Sequence, residues 1–126
     1  MGRDVVMTDR IAKPVGPFSA AAWADELLFV SGHVAQDPAT GALLHAESAA
    51  GQTEQIFHNL GAVLEAANRS FGDVLRVGVF LTDLGDFQAM NEVYARHFDP
   101  PYPARTTIQV AALPLGASVE LELVVR

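Results

Sequence analysis

Apolar and polar residues alternate near the end of the chain. In residues 118–125, Val119, Leu121 and Leu123 are separated by polar side chains, and this period of two predicts a strand with one buried face. Residues 103–110 are rich in β-branched side chains and predict another strand just before it. The chain therefore ends in two strands.

The connection between these two strands, residues 111–117, contains Pro114 and Gly116, which favour a turn. A short connection that turns predicts that the two strands are neighbours in the sheet. Their pairing would bring Arg105 and Glu120 near a common face.

Two other segments have the helical period. Residues 48–68 predict an amphipathic helix, because apolar residues recur three or four positions apart. These residues are Ile56, Leu60, Val63, Leu64 and Ala67. A second helix is predicted to begin after a capping Asp83 or Asp86, and the proline-rich residues 99–103 end it. Its periodic positions are Phe87, Met90, Val93, Tyr94 and His97.

The remaining strands precede and separate the helices. The sequence predicts a short strand within residues 5–14, a hairpin of residues 18–23 and 26–30 that turns at 24–25, and a strand at residues 74–82. The order of elements is then three strands, a helix, a strand, a helix and two strands. We expect an α/β (α+β) fold in which a mixed six-stranded sheet carries both helices on one face.

Length and composition bound the domain organisation. The chain has 126 residues, of which 50% are hydrophobic and 18% charged, and we expect one domain that spans residues 1–126. With both helices on one face of the sheet, the other face needs a cover. The high apolar content favours a second copy of the chain as that cover.

Charge and residue types exclude several classes of function. The net charge is −7 and the basic residues are dispersed, so the chain lacks the basic surface that nucleic acids need. There is no cysteine, which excludes a disulfide framework and a thiolate nucleophile. No segment predicts a signal peptide or a membrane span, and we expect a cytoplasmic protein. The histidines lack metal-site spacing, and we assign no metal.

Two charged residues are candidates for a binding or catalytic role. Arg105 follows a proline-rich turn, and its planar guanidinium suits a carboxylate ligand. Spacing alone favours the alternative, an intramolecular salt bridge from Arg105 to Glu120 or Glu122. The alternation along the last strand favours a solvated Glu120. A second subunit over that face would instead desolvate the carboxylate, raise its pKa and fit it for proton transfer.

Ser31 and Gly32 follow the apolar run of residues 27–30. Gly32 permits close approach of another group, although a strand-ending turn is the simpler interpretation. Ser31 is a weak candidate for a nucleophile, because Val30-Ser31-Gly32 lacks the flanking glycine of a nucleophile elbow.

Short motifs are spread along almost the whole chain. They are Gly16-Pro17, Phe29-Val30-Ser31-Gly32, Asp37-Pro38-Ala39-Thr40-Gly41, Asn59-Leu60, Val79-Phe80-Leu81-Thr82-Asp83-Leu84, Phe87 with Asn91, Pro103-Ala104-Arg105, Val110-Ala111-Ala112-Leu113-Pro114 and Val119-Glu120-Leu121-Glu122. Each motif alone is unspecific. Together they resemble the RidA (YjgF) family of enamine/imine deaminases.

This resemblance implies a fold, an assembly and a reaction. It implies a chorismate-mutase-like subunit and a homotrimer with three sites at the subunit interfaces. It also implies hydrolysis of 2-enamine and 2-imino acids, such as 2-aminoacrylate and its imine tautomer, to 2-keto acids and ammonia. Such a reaction needs no cofactor, because the imine carbon is already electrophilic.

The resemblance also implies roles for individual residues. Arg105 would bind the substrate carboxylate, and Glu120 would activate water and move protons. Backbone groups near Gly32 and Thr107 would hold the imine nitrogen and the water. The implied substrate-binding residues are Phe18, Ser31, Gly32, Asn91, Arg105 and Thr107.

Three features depart from the family pattern. Phe18 stands where well-known members have a tyrosine, and Thr107 replaces a common cysteine. The segment between Asn91 and Arg105 is shorter than in those members, and Tyr102 is a candidate to supply the missing hydroxyl. The alternative functions are a non-catalytic module that binds keto acids and a deaminase for a specialised catabolic imine or enamine. A ribonuclease is disfavoured by the negative charge.

Overall fold

The computed structural model describes residues 2–126 and contains one mixed six-stranded sheet with two long helices. The strands are β1 (Val5–Val6), β2 (Ala21–Ala24), β3 (Leu27–His33), β4 (Val74–Leu81), β5 (Ala104–Gln109) and β6 (Val119–Val125). The helices are α1 (Ala49–Ala66) and α2 (Phe87–His97). The predicted order of elements and the predicted fold class are confirmed.

The strand order across the sheet is β1-β2-β3-β6-β4-β5. Neighbouring strands are antiparallel, except that β4 and β5 are parallel. The predicted hairpin is confirmed as β2 and β3. Its turn lies at Asp25 and Glu26, one residue later than predicted, and Asp25 adopts the left-handed conformation with φ 52°.

The prediction that the last two strands are neighbours is wrong, because β4 lies between β5 and β6. Three consecutive residues of β4, Val77, Gly78 and Val79, are all buried, as expected for a strand in the middle of a covered sheet. The link of residues 110–118 only has to cross one strand, a distance of about 10 Å. A short connection therefore does not require direct pairing.

α1 begins at the predicted position because Ser48 caps it. The Ser48 hydroxyl accepts a hydrogen bond from the Gly51 N–H at 2.9 Å, which satisfies one of the free N–H groups of the first turn. Its buried apolar face comprises Ile56, Phe57, Leu60, Ala62, Val63 and Leu64. The predicted amphipathic helix is confirmed.

α2 begins at Phe87, close to both predicted caps. Asp86 holds the capping position without a side-chain hydrogen bond. Asp83 caps the short 3-10 turn before α2 by accepting a hydrogen bond from the Gly85 N–H at 2.8 Å. The buried face of α2 comprises Met90, Val93 and Tyr94. Within residues 2–126, no helix combines the length and apolarity needed to cross a membrane.

Both helices cover the same face of the sheet, where their apolar residues form one core with the buried side chains of the strands. Leu28, Val77 and Leu121 are examples from three different strands. The other face is open. Its side chains include Phe29 and Ile108, which are 48% and 44% exposed.

Candidate functional site

The predicted site residues line two separate cavities. The first, of about 350 Å³, lies beside β3 and β6, and the predicted residues that line it are Phe18, Ser31, Gly32 and Glu120. The second, of about 330 Å³, lies between α2 and β5, and the predicted residues that line it are Asn91 and Arg105. Thr107 lines neither cavity.

Arg105 and Glu120 lie on opposite faces of the sheet, so the prediction of a common face is wrong. Arg105 pairs with Val77, whose buried side chain marks the helix-covered face. Glu120 pairs with Phe80, which pairs in turn with Ile108 on the open face. Because directly paired residues share a face, β4 fixes the two side chains on different sides. The prediction had assumed direct pairing of β5 with β6.

Glu120 faces Gly32 across the β3–β6 pair. A Cβ atom on Gly32 would lie 2.7 Å from Glu120 Oε1 and 2.8 Å from its Cδ, so glycine leaves the room that the carboxylate occupies. The pairing is irregular between Val30 and His33, next to this contact. Gly32 lies inside β3, and the interpretation as a strand-ending turn is wrong.

The Glu120 carboxylate is half-buried and faces the cavity. Burial raises its pKa above the usual 4.5, and the nearby negative charge of Glu122 adds to the rise. The alternation of residues had favoured an outward, solvated glutamate. Glu120 does face outward on the open face of the sheet, but its side chain is only partly solvated. A carboxyl group with a raised pKa is suited to proton transfer closer to neutral pH.

Ser31 fixes the backbone beside Gly32. Its hydroxyl donates a hydrogen bond to the Ser19 carbonyl at 2.7 Å, and its own carbonyl lies 2.7 Å from His33 Nδ1. Burial lowers the pKa of His33 below 6.5, against the opposing effect of that hydrogen bond, so the neutral ring donates from Nδ1. Within residues 2–126, no three His, Asp or Glu side chains cluster closely enough to hold a metal ion.

Apart from Phe18, the sequence did not identify the apolar wall of the Glu120 cavity. Phe18 is 50% exposed at this wall, and Val15 and Leu115 are 73% and 48% exposed. Leu115 also adopts the left-handed conformation, with φ 60°, which is rare for a bulky side chain. Exposed apolar groups around a cavity are typical of a binding site. Val15 and Leu115 were missed because they lie in loops without periodicity.

Arg105 is held by α2 and pairs with no glutamate. Its Nη1 donates a hydrogen bond to Asn91 Oδ1 at 2.7 Å. Its Cζ lies 4.7 Å from the ring centroid of Tyr94 and 5.5 Å from that of Phe87. The intramolecular salt bridge that spacing favoured is therefore wrong, and Glu122 instead lies 3.8 Å from Arg76.

Two buried hydroxyl groups near Arg105 donate to no acceptor within residues 2–126. They belong to Tyr94 and Thr107. Tyr94 lines the Arg105 cavity, although the sequence predicted it only as a helix position that faces the core. Its spacing of three residues from Asn91 was the available signal, because residues three apart share a helix face. Tyr102 also lines this cavity and is 56% exposed.

The structure is that of an α+β protein with two cavities of the size of small-molecule sites. Comparison with known proteins identifies the family. A family model described as Endoribonuclease L-PSP matches residues 7–126. The chain belongs to this family, the RidA (YjgF) family, and the resemblance seen in the sequence is confirmed.

Individual relatives match nearly the whole chain. "Reactive Intermediate Deaminase A, chloroplastic" from Arabidopsis thaliana is 42% identical over 122 residues, which are 97% of this chain and 65% of that protein. The chain thus spans just under two thirds of that relative. The Homo sapiens 2-iminobutanoate/2-iminopropanoate deaminase is 37% identical over 97% of this chain and 88% of that protein. The crystal structure of RidA from Psychrobacter sp. PAMC 21119 superimposes with a TM-score of 0.92, at 41% identity and 98% coverage of both chains.

Proposed function

We propose that this chain hydrolyses reactive 2-enamine and 2-imino acids, such as 2-aminoacrylate and 2-iminopropanoate, to 2-keto acids and ammonia. The observation that carries the proposal is the half-buried carboxylate of Glu120, held against Gly32 in a largely apolar cavity. The names of the Arabidopsis and human relatives, both deaminases, support the same reaction.

Glu120 has the chemistry that imine hydrolysis requires. Water adds to the imine carbon, and the ionised carboxylate of Glu120 accepts a proton from it as the C–O bond forms. The nitrogen takes this proton, which gives a carbinolamine. Glu120 then moves the proton of the carbinol hydroxyl to the nitrogen as the C=O bond forms and the C–N bond breaks, so ammonia leaves and the carboxylate is restored. An enamine first gains a proton on carbon and loses one from nitrogen to become the imine. Proton transfer by one positioned group typically accelerates a reaction by about 10²- to 10⁴-fold.

Arg105 is placed to bind the substrate carboxylate. Its guanidinium is oriented by the bond to Asn91 and by the rings of Tyr94 and Phe87. Because a guanidinium has five N–H donors, the single bond to Asn91 leaves others for a ligand. A planar guanidinium contacts both oxygens of a carboxylate and so orients it.

A complete site requires two copies of the chain, because Arg105 and Glu120 of one chain lie on opposite faces of the sheet. The homotrimer that the family resemblance implies would join Glu120 of one copy to Arg105 of the next. The open face supports such an assembly, since Phe29 and Ile108 are nearly half exposed there and association would bury them.

The direct test measures the loss of 2-imino acids generated in situ by an amino-acid oxidase, with semicarbazide trapping the imine that remains. We expect the wild-type protein to accelerate imine loss. The activity of Arg105→Ala should be about 10- to 100-fold lower than that of wild type, because the substitution removes charge-assisted hydrogen bonds. Arg96→Ala is the matched control, since Arg96 lies on α2 in an exposed ion pair with Glu54. Full activity of Arg105→Ala would refute the role of Arg105.

Phe18 supports a second candidate function, a non-catalytic module that binds keto acids. It lies at the Glu120 cavity and has no hydroxyl group to contribute to catalysis. Binding of a 2-keto acid without any imine hydrolysis would support this function, and turnover would eliminate it. Turnover of only one unusual imine would instead indicate a specialised catabolic deaminase.

The description of the family model also names an endoribonuclease, but the net charge of −7 opposes RNA binding. RNA cleavage that is lost in Arg105→Ala would overturn this conclusion. A cytoplasmic location and a role in limiting metabolite damage stay predictions from the sequence and the family resemblance.

A further inference from the structure

Tyr94 combines deep burial with an unused hydroxyl group. The residue is 5% exposed. The Arg105 guanidinium approaches its oxygen, but its O–H donor has no acceptor among residues 2–126. Leaving a buried O–H donor without an acceptor destabilises the folded state, and such groups are rare in folded proteins. The arrangement therefore needs an explanation other than packing.

The position of Tyr94 relative to Arg105 points to a ligand. The Tyr94 ring centroid lies 4.7 Å from Arg105 Cζ, and both side chains line the same cavity of about 330 Å³. Asn91, one turn earlier on α2, holds Arg105 Nη1. The same helix face thus orients the guanidinium and places a phenol group beside it.

The electrostatics agree with this position. Burial raises the pKa of Tyr94 above 10.0, while the positive charge of Arg105 and a hydrogen bond from its guanidinium act in the opposite direction. The hydroxyl therefore keeps its proton at neutral pH and is available as a donor. A neutral O–H donor beside a guanidinium matches an anionic acceptor, because a bond to a carboxylate is about twice as strong as one between neutral groups.

We infer that the Tyr94 hydroxyl is a second donor to the substrate carboxylate, beside the Arg105 guanidinium. This inference rests on the proposed function, because it concerns how the same substrate is bound. It makes Tyr94 a substrate-binding residue rather than only a residue of the helix core. The carboxylate would then have donors on β5 and on α2, which fixes its orientation as well as its position.

The test compares wild-type protein with Tyr94→Phe, which removes the hydroxyl and keeps the ring beside Arg105. Pyruvate, a stable 2-keto acid, is the probe, and its Kd is measured by calorimetry or NMR titration. We expect Tyr94→Phe to raise this Kd about tenfold, the effect of losing one hydrogen bond to a charged group. It should also raise KM for 2-imino acids more than it lowers kcat.

Thermal unfolding distinguishes a ligand-binding role of the Tyr94 hydroxyl from a structural role. Removing an unpaired buried hydroxyl should leave the stability of Tyr94→Phe unchanged or higher, whereas a hydroxyl that bonds within the fold or to another subunit would lower stability or shift the assembly mass. Tyr102→Phe is the matched control, because this exposed tyrosine lines the same cavity. We expect it to change the pyruvate Kd much less.

The outcomes distinguish this inference from the proposed function. An unchanged pyruvate Kd in Tyr94→Phe would overturn the inference while leaving deamination intact. A raised Kd together with no imine hydrolysis by wild-type protein would support the inference and overturn the proposed function. Failure of wild-type protein to bind pyruvate, or a loss of affinity found only in Tyr102→Phe, would also overturn the inference.

Discussion

Glu120 illustrates how a single residue takes its properties from its surroundings. The alternation along β6 describes it as a surface glutamate, yet it faces Gly32 in a cavity that is mostly apolar. Burial and the charge of Glu122 both raise its pKa. Glu122 is evident two positions along β6, but the contact with Gly32 is not apparent from the local sequence, because Gly32 lies on a distant segment of the chain.

Glu120→Gln should lower the activity by about 100-fold or more, because the amide cannot accept the proton from water. In wild-type protein, activity should fall as the pH drops through the raised pKa of Glu120, since the base must be ionised. A pH–rate profile of kcat/KM measures this effect. A Glu120→Gln variant with wild-type activity would exclude Glu120 as the base.

Glu120→Gln should raise the stability of the fold at neutral pH, although it lowers the activity. A carboxyl group whose pKa is raised in the folded state is favourable below the unfolded pKa near 4.5, and this contribution is lost as the pH rises through the folded pKa. Glu120→Gln removes the free-energy cost of ionising a partly buried carboxyl group. The variant should therefore be more stable than wild type at pH 7, and the difference in stability should narrow toward pH 4.5. Thermal unfolding at both pH values measures this difference.

Gly32→Ala should reduce activity by roughly 10- to 100-fold, because a displaced carboxylate loses its catalytic geometry. The added Cβ would lie 2.7 Å from Glu120 Oε1. Gly78→Ala is a matched control, since its Cβ would meet Glu122 Cγ at 2.8 Å, which crowds the neighbouring glutamate instead. Equal losses of activity in both variants would show that strain in the sheet, rather than the position of Glu120, is responsible.

At the scale of elements, local rules predicted the helices well and strand pairing poorly. Ser48 and the apolar period set the start and the face of α1, because the hydrogen bonds and caps of a helix join residues that are near in sequence. A strand acquires its partners from distant segments. In this sheet β4 lies between β5 and β6. The run of apolar residues in β4 is typical of a central strand.

Ser48→Ala should lower the free energy of unfolding by about 1 kcal/mol, because the Gly51 N–H loses its side-chain acceptor. Chemical denaturation measures the change. Ser48→Asp retains an acceptor for the same N–H and adds a negative charge at the positive end of α1, so it should keep most of the stability. If the alanine variant is as stable as wild type, the cap has no energetic importance.

At the scale of the whole molecule, the sheet separates the two charged groups to which the proposed reaction assigns roles. One chain places Arg105 under α2 and Glu120 on the open face. The Tyr94 hydroxyl also lies on the Arg105 side, where the sequence indicated only a core position. The roles of these residues stay predictions until the activity is measured.

Mixing two impaired variants tests the shared site. Arg105→Ala and Glu120→Gln should each have low activity alone, whereas co-refolded mixtures should regain activity, because some interfaces then combine an intact Arg105 with an intact Glu120. For random mixing in equal amounts in a cyclic trimer, about a quarter of the sites are intact. No recovery, in assemblies shown by mass to contain both variants, would contradict a site between subunits.

Periodicity, capping and local motifs were sufficient to predict the types and order of the elements, the start of α1, the mixed sheet and the two charged candidates. The fold was needed to establish the strand order, the opposite faces of Arg105 and Glu120, the contact of Gly32 with Glu120 and the position of Tyr94. Hydrogen-bonded pairing and burial join residues that are far apart in the chain, and a single inserted strand changes which side chains meet.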